Sequence, residues 1–323
     1  MRRRNIKAIA VGMAALLLVA AAGCGSSDSA DSDDGRQEVT AGVMPILDVA
    51  PIYLGKEKGI FEDHGIDLKL TSAQGGAAIV PGVLSGEFEF GFSNVTSLIV
   101  ANDKDLPIRI AAAANFSTGK TPDFFAILAN GDSPIEDASD LEGKKVAINT
   151  LNNIGDTTVR ETMRKADADP SKVEFVEMAF PDMPAALEKG RIDAAWAPEP
   201  FPTIMKNQGA KVIAWPLVDT APGLMMSAYF TSEKLKDSDP ELVEKFADAI
   251  NESQRYSQDH PDEVRDIVTS YTEIDEDLLP DMVLPDFKTE INVKSTKKLA
   301  ELALKDGLID EKADLSTLLP ASD

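Results

Sequence analysis

Along residues 38–115 the apolar positions keep changing period, and each change marks a new element. "EVTAGVMPI" (38–46) is a short β-like run, whereas "VAPIYLGKEKGIF" (49–61) spaces its apolar residues as a helix does. "IDLKLTSA" (66–73) alternates as a strand, and "GGAAIVPGVLSG" (75–86) predicts a short helix closed by Gly86. "EFEFGFS" (87–93) predicts a strand, "NVTSLIVAND" (94–103) a helix and "PIRIAAAAN" (107–115) a strand. The order is β-α-β-α-β-α-β.

The same order restarts at Lys144. "KKVAINT", "KVEFVEM", "RIDAAWA" and "AKVIAWPL" read as strands; "GDTTVRETMRKADA", "MPAALEKG" and "PEPFPTIMKNQG" read as helices between them. Two copies of one α/β unit, rather than a short-period solenoid, account for this. "GEFEFGFSNVTS" (86–97) and "GRIDAAWAPEPF" (190–201) are the corresponding steps of the two copies. Each begins Gly-x-apolar-acid and reaches an aromatic, Phe92 or Trp196, at the same offset. "DFFAILANGDSP" (123–134) and "GLMMSAYFTSE" (223–233) are extended apolar runs at the seams, so two crossovers are expected. The fold class is therefore α/β, with two lobes joined by two crossover segments: residues 38–125 with 226–323 in lobe 1, and 126–225 in lobe 2. The last third is helical. Asp239 is expected to cap one helix with Pro240 behind it, and Ser295 to cap another that stops at Gly307.

The N-terminus changes this picture. Residues 1–23 carry four basic side chains, then an apolar run from Ile9 to Ala22, which is the build of a signal peptide. The "AAGC" ending resembles a lipobox and makes Cys24, the single cysteine, the expected lipidation site. Residues 24–37 are Ser, Asp and Gly-rich and predict a flexible tether. Removal of residues 1–23 takes the formal charge from 32 − 55 = −23 to 28 − 55 = −27. So acidic a chain argues against nucleic acid or an anionic membrane surface as a partner.

In open α/β sheets ligands bind beyond the carboxyl ends of the strands, where helix N-termini offer free N–H groups. The loops there hold Ser93, Asn94, Thr96, Asn149, Thr150, Asn152, Asn153 and Thr157 as neutral hydrogen-bonding groups. Gly75, Gly76 and Gly155 permit close approach, and Phe92, Trp196 and Phe201 offer flat walls. Each polar residue has a plainer reading as a helix cap, and Phe92 and Trp196 as core. Glu199 either pairs with a cationic group or is a solvated first-turn acid. No arginine lies in these loops, and Lys120 and Arg160 are the nearest candidates for a counter-charge. Two histidines, His64 and His260, sit at helix ends, so a His/Cys metal site and a Cys nucleophile both lack residues; no cofactor and no metal are expected. Acids are too abundant for counting to exclude a carboxylate-dependent hydrolase.

Five segments, "APIYLGKEKGIFEDHGIDLKL", "VLSGEFEFGFSNVTS", "DLEGKKVAINTLNN", "ALEKGRIDAAWAPEPF" and "LKDGLIDEKADLSTLL", in this order and spacing resemble the substrate-binding lipoproteins of ABC importers. The group is the nitrate/sulfonate/taurine one, which also includes pyrimidine-precursor binders. The resemblance implies a periplasmic-binding-protein-like fold of type II, a small-molecule ligand held between the lobes, and permease and ATPase partners. It further implies a monomer anchored outside the cell membrane by its lipid. Carried over by position, the ligand contacts would be Asp48, Gly75, Gly76, Ser93, Asn94, Thr96, Asn153, Gly155, Thr157, Trp196 and Glu199. A small organic anion, a sulfonate or a carboxylate, is the expected ligand, and a pyrimidine, thiamine-precursor or flavin-type heterocycle the alternative. A ligand sensor is the remaining possibility of another class.

Overall fold

The computed structural model describes residues 35–320; the expected signal peptide, Cys24 and most of the tether lie outside them. Ten strands follow the periodicity of the sequence: β1 (Gln37–Val43), β2 (Ile66–Ser72), β3 (Phe90–Asn94), β4 (Ile108–Ala113), β5 (Phe125–Ala129), β6 (Lys145–Ile148), β7 (Glu174–Glu177), β8 (Ala194–Pro198), β9 (Lys211–Ala214) and β10 (Ser227–Ser232). They form two five-stranded sheets, ordered β2-β1-β3-β10-β4 and β7-β6-β8-β5-β9. The orders superimpose, β2 on β7, β1 on β6, β3 on β8 and β4 on β9.

The fifth strand of each sheet is the first one made after the chain crosses from the other. β5 runs antiparallel to both β8 and β9, and β10 antiparallel to both β3 and β4. Phe125 is the first residue of β5 and so stands in the second sheet, one position before the expected boundary. Of the inner strands, β3, β5, β8 and β10 are buried at every residue; β5 and β8 are correspondingly apolar with little alternation, whereas β3 and β10 also bury hydroxyl and amide side chains.

The repeated phrase has a backbone explanation. Gly86 and Gly190 end their helices with φ of 80° and 62°, in the left-handed region that glycine adopts most readily. Glu89 then donates its N–H to the carbonyl of Thr40 (3.0 Å) and accepts the N–H of Thr40 on its carboxylate (2.7 Å). Asp193 repeats both bonds with Lys145, at 2.9 and 2.8 Å. The acid in each copy clamps the incoming strand to its neighbour.

The two crossovers lie side by side. Phe116 bridges antiparallel to Met225 and to Asp286, Ser117 N–H donates to Leu224 O (2.9 Å), and Met226 N–H donates to Asn115 O (3.0 Å). Asp123, buried here, accepts from Ser117 Oγ (2.5 Å), Thr118 N–H (3.2 Å) and Phe124 N–H (3.0 Å). In the helical last third, Asp239 caps Pro240–Asp259 as expected. The final helix departs from expectation: it spans Val293–Lys305 and its cap is Asn292, which accepts the N–H of Ser295 at 3.0 Å. Ser295 sits inside the first turn, where its hydroxyl accepts the N–H of Met225 (3.1 Å) and so ties the helix to the second crossover.

Candidate functional site

The carboxyl ends of β1, β2 and β3 in one sheet face those of β6, β7 and β8 in the other. Leu47 N–H, just past β1, donates to the carbonyl of Glu199, just past β8, at 3.0 Å. Gly75 lies so close to the opposing loop that a Cβ there would stand 2.8 Å from Thr150 Oγ1 and 3.3 Å from Asn149 Nδ2. A cavity of about 230 Å³ opens between Met44, Pro45 and Ile46 on one side and Ala179, Phe180 and Pro181 on the other. The lobes are thus drawn together over the strand ends.

The expected site residues divide into two groups by where their polar atoms point. The first group is spent on capping. Asn94 accepts the N–H of Ser97 (2.8 Å) and donates to its hydroxyl (3.0 Å), closing the helix Val95–Asp103. Asn153 accepts the N–H of Gly155 (2.8 Å), while Asp156 accepts that of Asn153 (3.1 Å), a reciprocal capping box on the helix Ile154–Lys165. Thr157 donates its hydroxyl back to Asn153 O (3.1 Å), and Gly155 packs on Ile148. Glu199 is buried instead of solvated. It accepts from Thr203 N–H (3.1 Å), Thr203 Oγ1 (3.0 Å) and Val283 N–H (3.3 Å). Burial pushes its carboxyl up to about 7, and those hydrogen bonds hold back part of the rise.

The second group keeps its polar atoms free. Asp48 is 1% exposed, yet neither carboxylate oxygen meets a hydrogen-bond donor among the described residues. The hydroxyls of Ser93 and Thr96 and the indole Nε1 of Trp196 are likewise buried without a protein partner. Buried polar groups of native proteins are nearly always hydrogen-bonded, so such a concentration at the strand ends is unusual. Gly76 belongs with them by contact, since a Cβ there would fall 2.1 Å from Ser93 Oγ. The Trp196 ring packs on Phe125 and Phe180, with centroids 4.5 and 6.0 Å away, and Phe180 lines the cavity. Phe92 packs edge-on against Tyr229 inside the first lobe.

Three members of this second group were not singled out from the sequence. Asn115, on the first crossover, accepts from Ser227 Oγ through its Oδ1, but its Nδ2 is buried and unpartnered. The hydroxyls of Tyr229 and Tyr271 are also buried without partners. Desolvation drives the Asp48 carboxyl up to about 7, Asp123 adds repulsion, and the neighbouring Asn115 offsets part of it without a hydrogen bond of ordinary geometry. Burial likewise raises Tyr229 and Tyr271 well above the usual phenol range, with Asp48 acting on both. Neither expected counter-charge reaches this place as a free group. Lys120 is exposed on the crossover, while Arg160 donates to Pro170 O (2.6 Å) and lies over the Phe175 ring. No cluster of three or more metal-ligating side chains occurs among the described residues.

The chain is similar to proteins of known kind. A putative aliphatic sulfonates-binding protein of Bacillus subtilis is 24% identical over 330 residues, covering 97% of this chain and 94% of the relative. The ligand-binding component of an ABC-type import system from Staphylococcus aureus, solved with zinc, superposes with a TM-score of 0.77 at 17% identity, over 88% of this chain and 97% of that one. The alkanesulfonate-binding protein SsuA from Xanthomonas axonopodis pv. citri, bound to MOPS, gives 0.76 at 12% identity, over 88% and 98%. A desulfurization enzyme, DszB, shares the fold at 0.63 and 16%, over 87% and 95%, so the architecture serves both binding proteins and an enzyme. The family model described as NMT1/THI5-like matches residues 47–264. That span holds β2 to β10 and every expected contact from Asp48 to Glu199, and the chain belongs to the NMT1/THI5-like family.

Proposed function

We propose that this chain is the extracytoplasmic substrate-binding component of an ABC importer. It captures a small organic molecule between its two lobes and presents the closed form to a permease and its ATPase. The observation that carries this reading is the set of buried, unpartnered polar atoms on Asp48, Ser93, Thr96 and Trp196, at the strand ends where the two sheets meet. The neutral hydroxyl and N–H donors of that set suit an acceptor group such as a sulfonate or carboxylate. Asn94, Asn153, Gly155, Thr157 and Glu199 hold the loops in shape around it. The relatives named for ABC import and sulfonate binding support the same role.

Binding without catalysis fits the placement of the two histidines. His64 pairs with Glu252 (2.9 Å) just before the first residue of β2, at the end of that strand away from the cleft, and His260 stacks on Tyr256 (centroids 3.9 Å) between two helices of the last third. In this reading residues 1–23 direct export, Cys24 carries the lipid, the residues between Cys24 and β1 are a tether, one position shorter than the expected 24–37 because Gln37 opens β1, and the monomer works at the outer face of the membrane. The test is a thermal-shift screen of residues 36–323 with alkanesulfonates, aliphatic and aromatic carboxylates, pyrimidines and flavins. A ligand at 100 times its Kd adds about 2.7 kcal/mol of stability. A flat response to every class, together with turnover of a chromogenic ester or glycoside, sinks the reading.

A further inference from the structure

The buried carboxylates near the cleft are treated unequally by the fold. The chain gives Glu199 three hydrogen bonds and Asp123 four. Asp48, equally buried, is given none of ordinary geometry. Asp123 repels it, and its own charge raises Tyr229 and Tyr271; none of these groups supplies positive charge. Neither expected counter-charge is placed to neutralise it, since Lys120 is exposed on the crossover and Arg160 is committed to Pro170 and Phe175. An isolated buried carboxylate is among the costliest arrangements a protein can hold, and a fold that satisfies its structural acids so fully has the means to satisfy this one. Asp48 also stands one residue from Leu47, which touches the opposite lobe, and two from Ile46, which lines the cavity. Its surroundings are tyrosine hydroxyls and the stacked rings of Tyr53 and Tyr271, 4.0 Å apart.

We infer that Asp48 is the docking point for an N–H group of the ligand, a protonated amine or an amidine-type ring nitrogen. The substrate is then a donor-bearing organic molecule and not a bare oxyanion. This rests on the binding role proposed above and adds a requirement to it: the hydroxyls of Ser93 and Thr96 and the Trp196 N–H serve the acceptor end, and Asp48 selects for the amino end. A charge-assisted hydrogen bond in a dry site contributes enough that its loss costs about tenfold or more in affinity.

The experiment uses matched probe pairs that differ only in the amino group: 3-aminopropanesulfonate against propanesulfonate, 4-(aminomethyl)benzoate against 4-methylbenzoate, and 4-aminopyrimidine against pyrimidine. Each is titrated by calorimetry into the wild type and into Asp48→Asn, which keeps the shape and removes the charge. The expected result is that the aminated member of at least one pair binds about tenfold tighter or more to the wild type, and that Asp48→Asn erases the preference. Without ligand, Asp48→Asn is expected to melt no lower than the wild type. Equal binding within every pair that binds, or a preference that survives Asp48→Asn, overturns the inference and leaves the import role standing. A ligand-free variant that melts several degrees lower also overturns it, because Asp48 is then a carboxylate the fold requires. If none of the six probes binds, the inference is overturned, while the import role stands or falls by the wider screen and turnover assay described above.

Discussion

The corresponding loops after β3 and β8 were built to one plan and finished differently. In the first lobe β3 runs into Ser93 and Asn94, where the amide caps the next helix and the hydroxyl stays free. In the second, β8 runs into Pro198 and Glu199, where the carboxylate caps the next helix and also reaches Val283 in the helical last third. Both lobes keep the same clamp, Glu89 on Thr40 and Asp193 on Lys145. The skeleton is therefore shared and the chemistry is not. Most of the free polar atoms belong to the first lobe and to the crossovers, while the second contributes the Trp196 N–H and otherwise spends its polar groups on holding its own loops and on closing the cleft.

This division can be broken by measurement. The largest effect is expected with pH. Asp48 and Glu199 are both held at about 7, above ordinary values of 3.8 and 4.5. A buried acid of raised pKa binds more protons folded than unfolded, so its contribution to stability falls as pH rises from about 4 to about 7 and is flat outside that window. Denaturant titrations of the wild type, Asp48→Asn and Glu199→Gln across that window are expected to show a shallower decline in each variant. Identical slopes in all three would remove the electrostatic half of the comparison.

Next is Glu199→Ala, which strands two N–H donors and a hydroxyl in a buried place and is expected to cost about 3 kcal/mol, since each unsatisfied group costs about 1–3 kcal/mol. Its unfolding midpoint is expected to drop by several degrees even without ligand. Asn153→Ala removes a capping box and is expected to cost about 1 kcal/mol while leaving ligand affinity unchanged, which calorimetry checks. Smallest for the fold is Ser93→Ala. It deletes a hydroxyl that makes no bond in the protein, so unliganded stability is expected to move by less than about 0.5 kcal/mol, while affinity for a bound probe falls. If Ser93→Ala destabilises and Asn153→Ala weakens binding, the assignment of the two lobes is inverted.

The fold was largely written in the sequence because each element carries its own signal. The switches of period located eight of the ten strands, β5 and β10 being read only as extended runs between the lobes, and Gly86 and Gly190 located the ends of their helices. The cap at Ser295 was misplaced for a physical reason. Asn292 and Ser295 are both good caps three residues apart, and what decides between them is that Ser295 is needed by Met225, 70 positions away. The site was harder to read. Asn94 and Ser93, or Thr157 and Thr96, are of similar kind and local setting, and only the direction of a hydroxyl or amide separates a cap from a free group. Asn115, Tyr229 and Tyr271 carried no signal. Tyr229 lies in β10, where every residue is buried and alternation vanishes, Asn115 lies beside it on the first crossover, and Tyr271 comes from the helical last third.

The interleaved strand order also sets a timetable. All five strands of the second sheet lie between residues 125 and 214, so that lobe can complete its sheet from one contiguous stretch. In the first sheet β4 pairs only with β10, which arrives at Ser227–Ser232, more than a hundred residues later. Until then β4 has no seat and β3 shows an open edge, and pairings this distant in the chain form slowly. The second lobe is therefore expected to be the first to acquire protection in pulse-labelled hydrogen exchange during refolding, with the amides of β4 and β10 last. An interval with an exposed apolar strand edge is when such a chain is most open to self-association, and that is where slow or crowded folding would exact its toll.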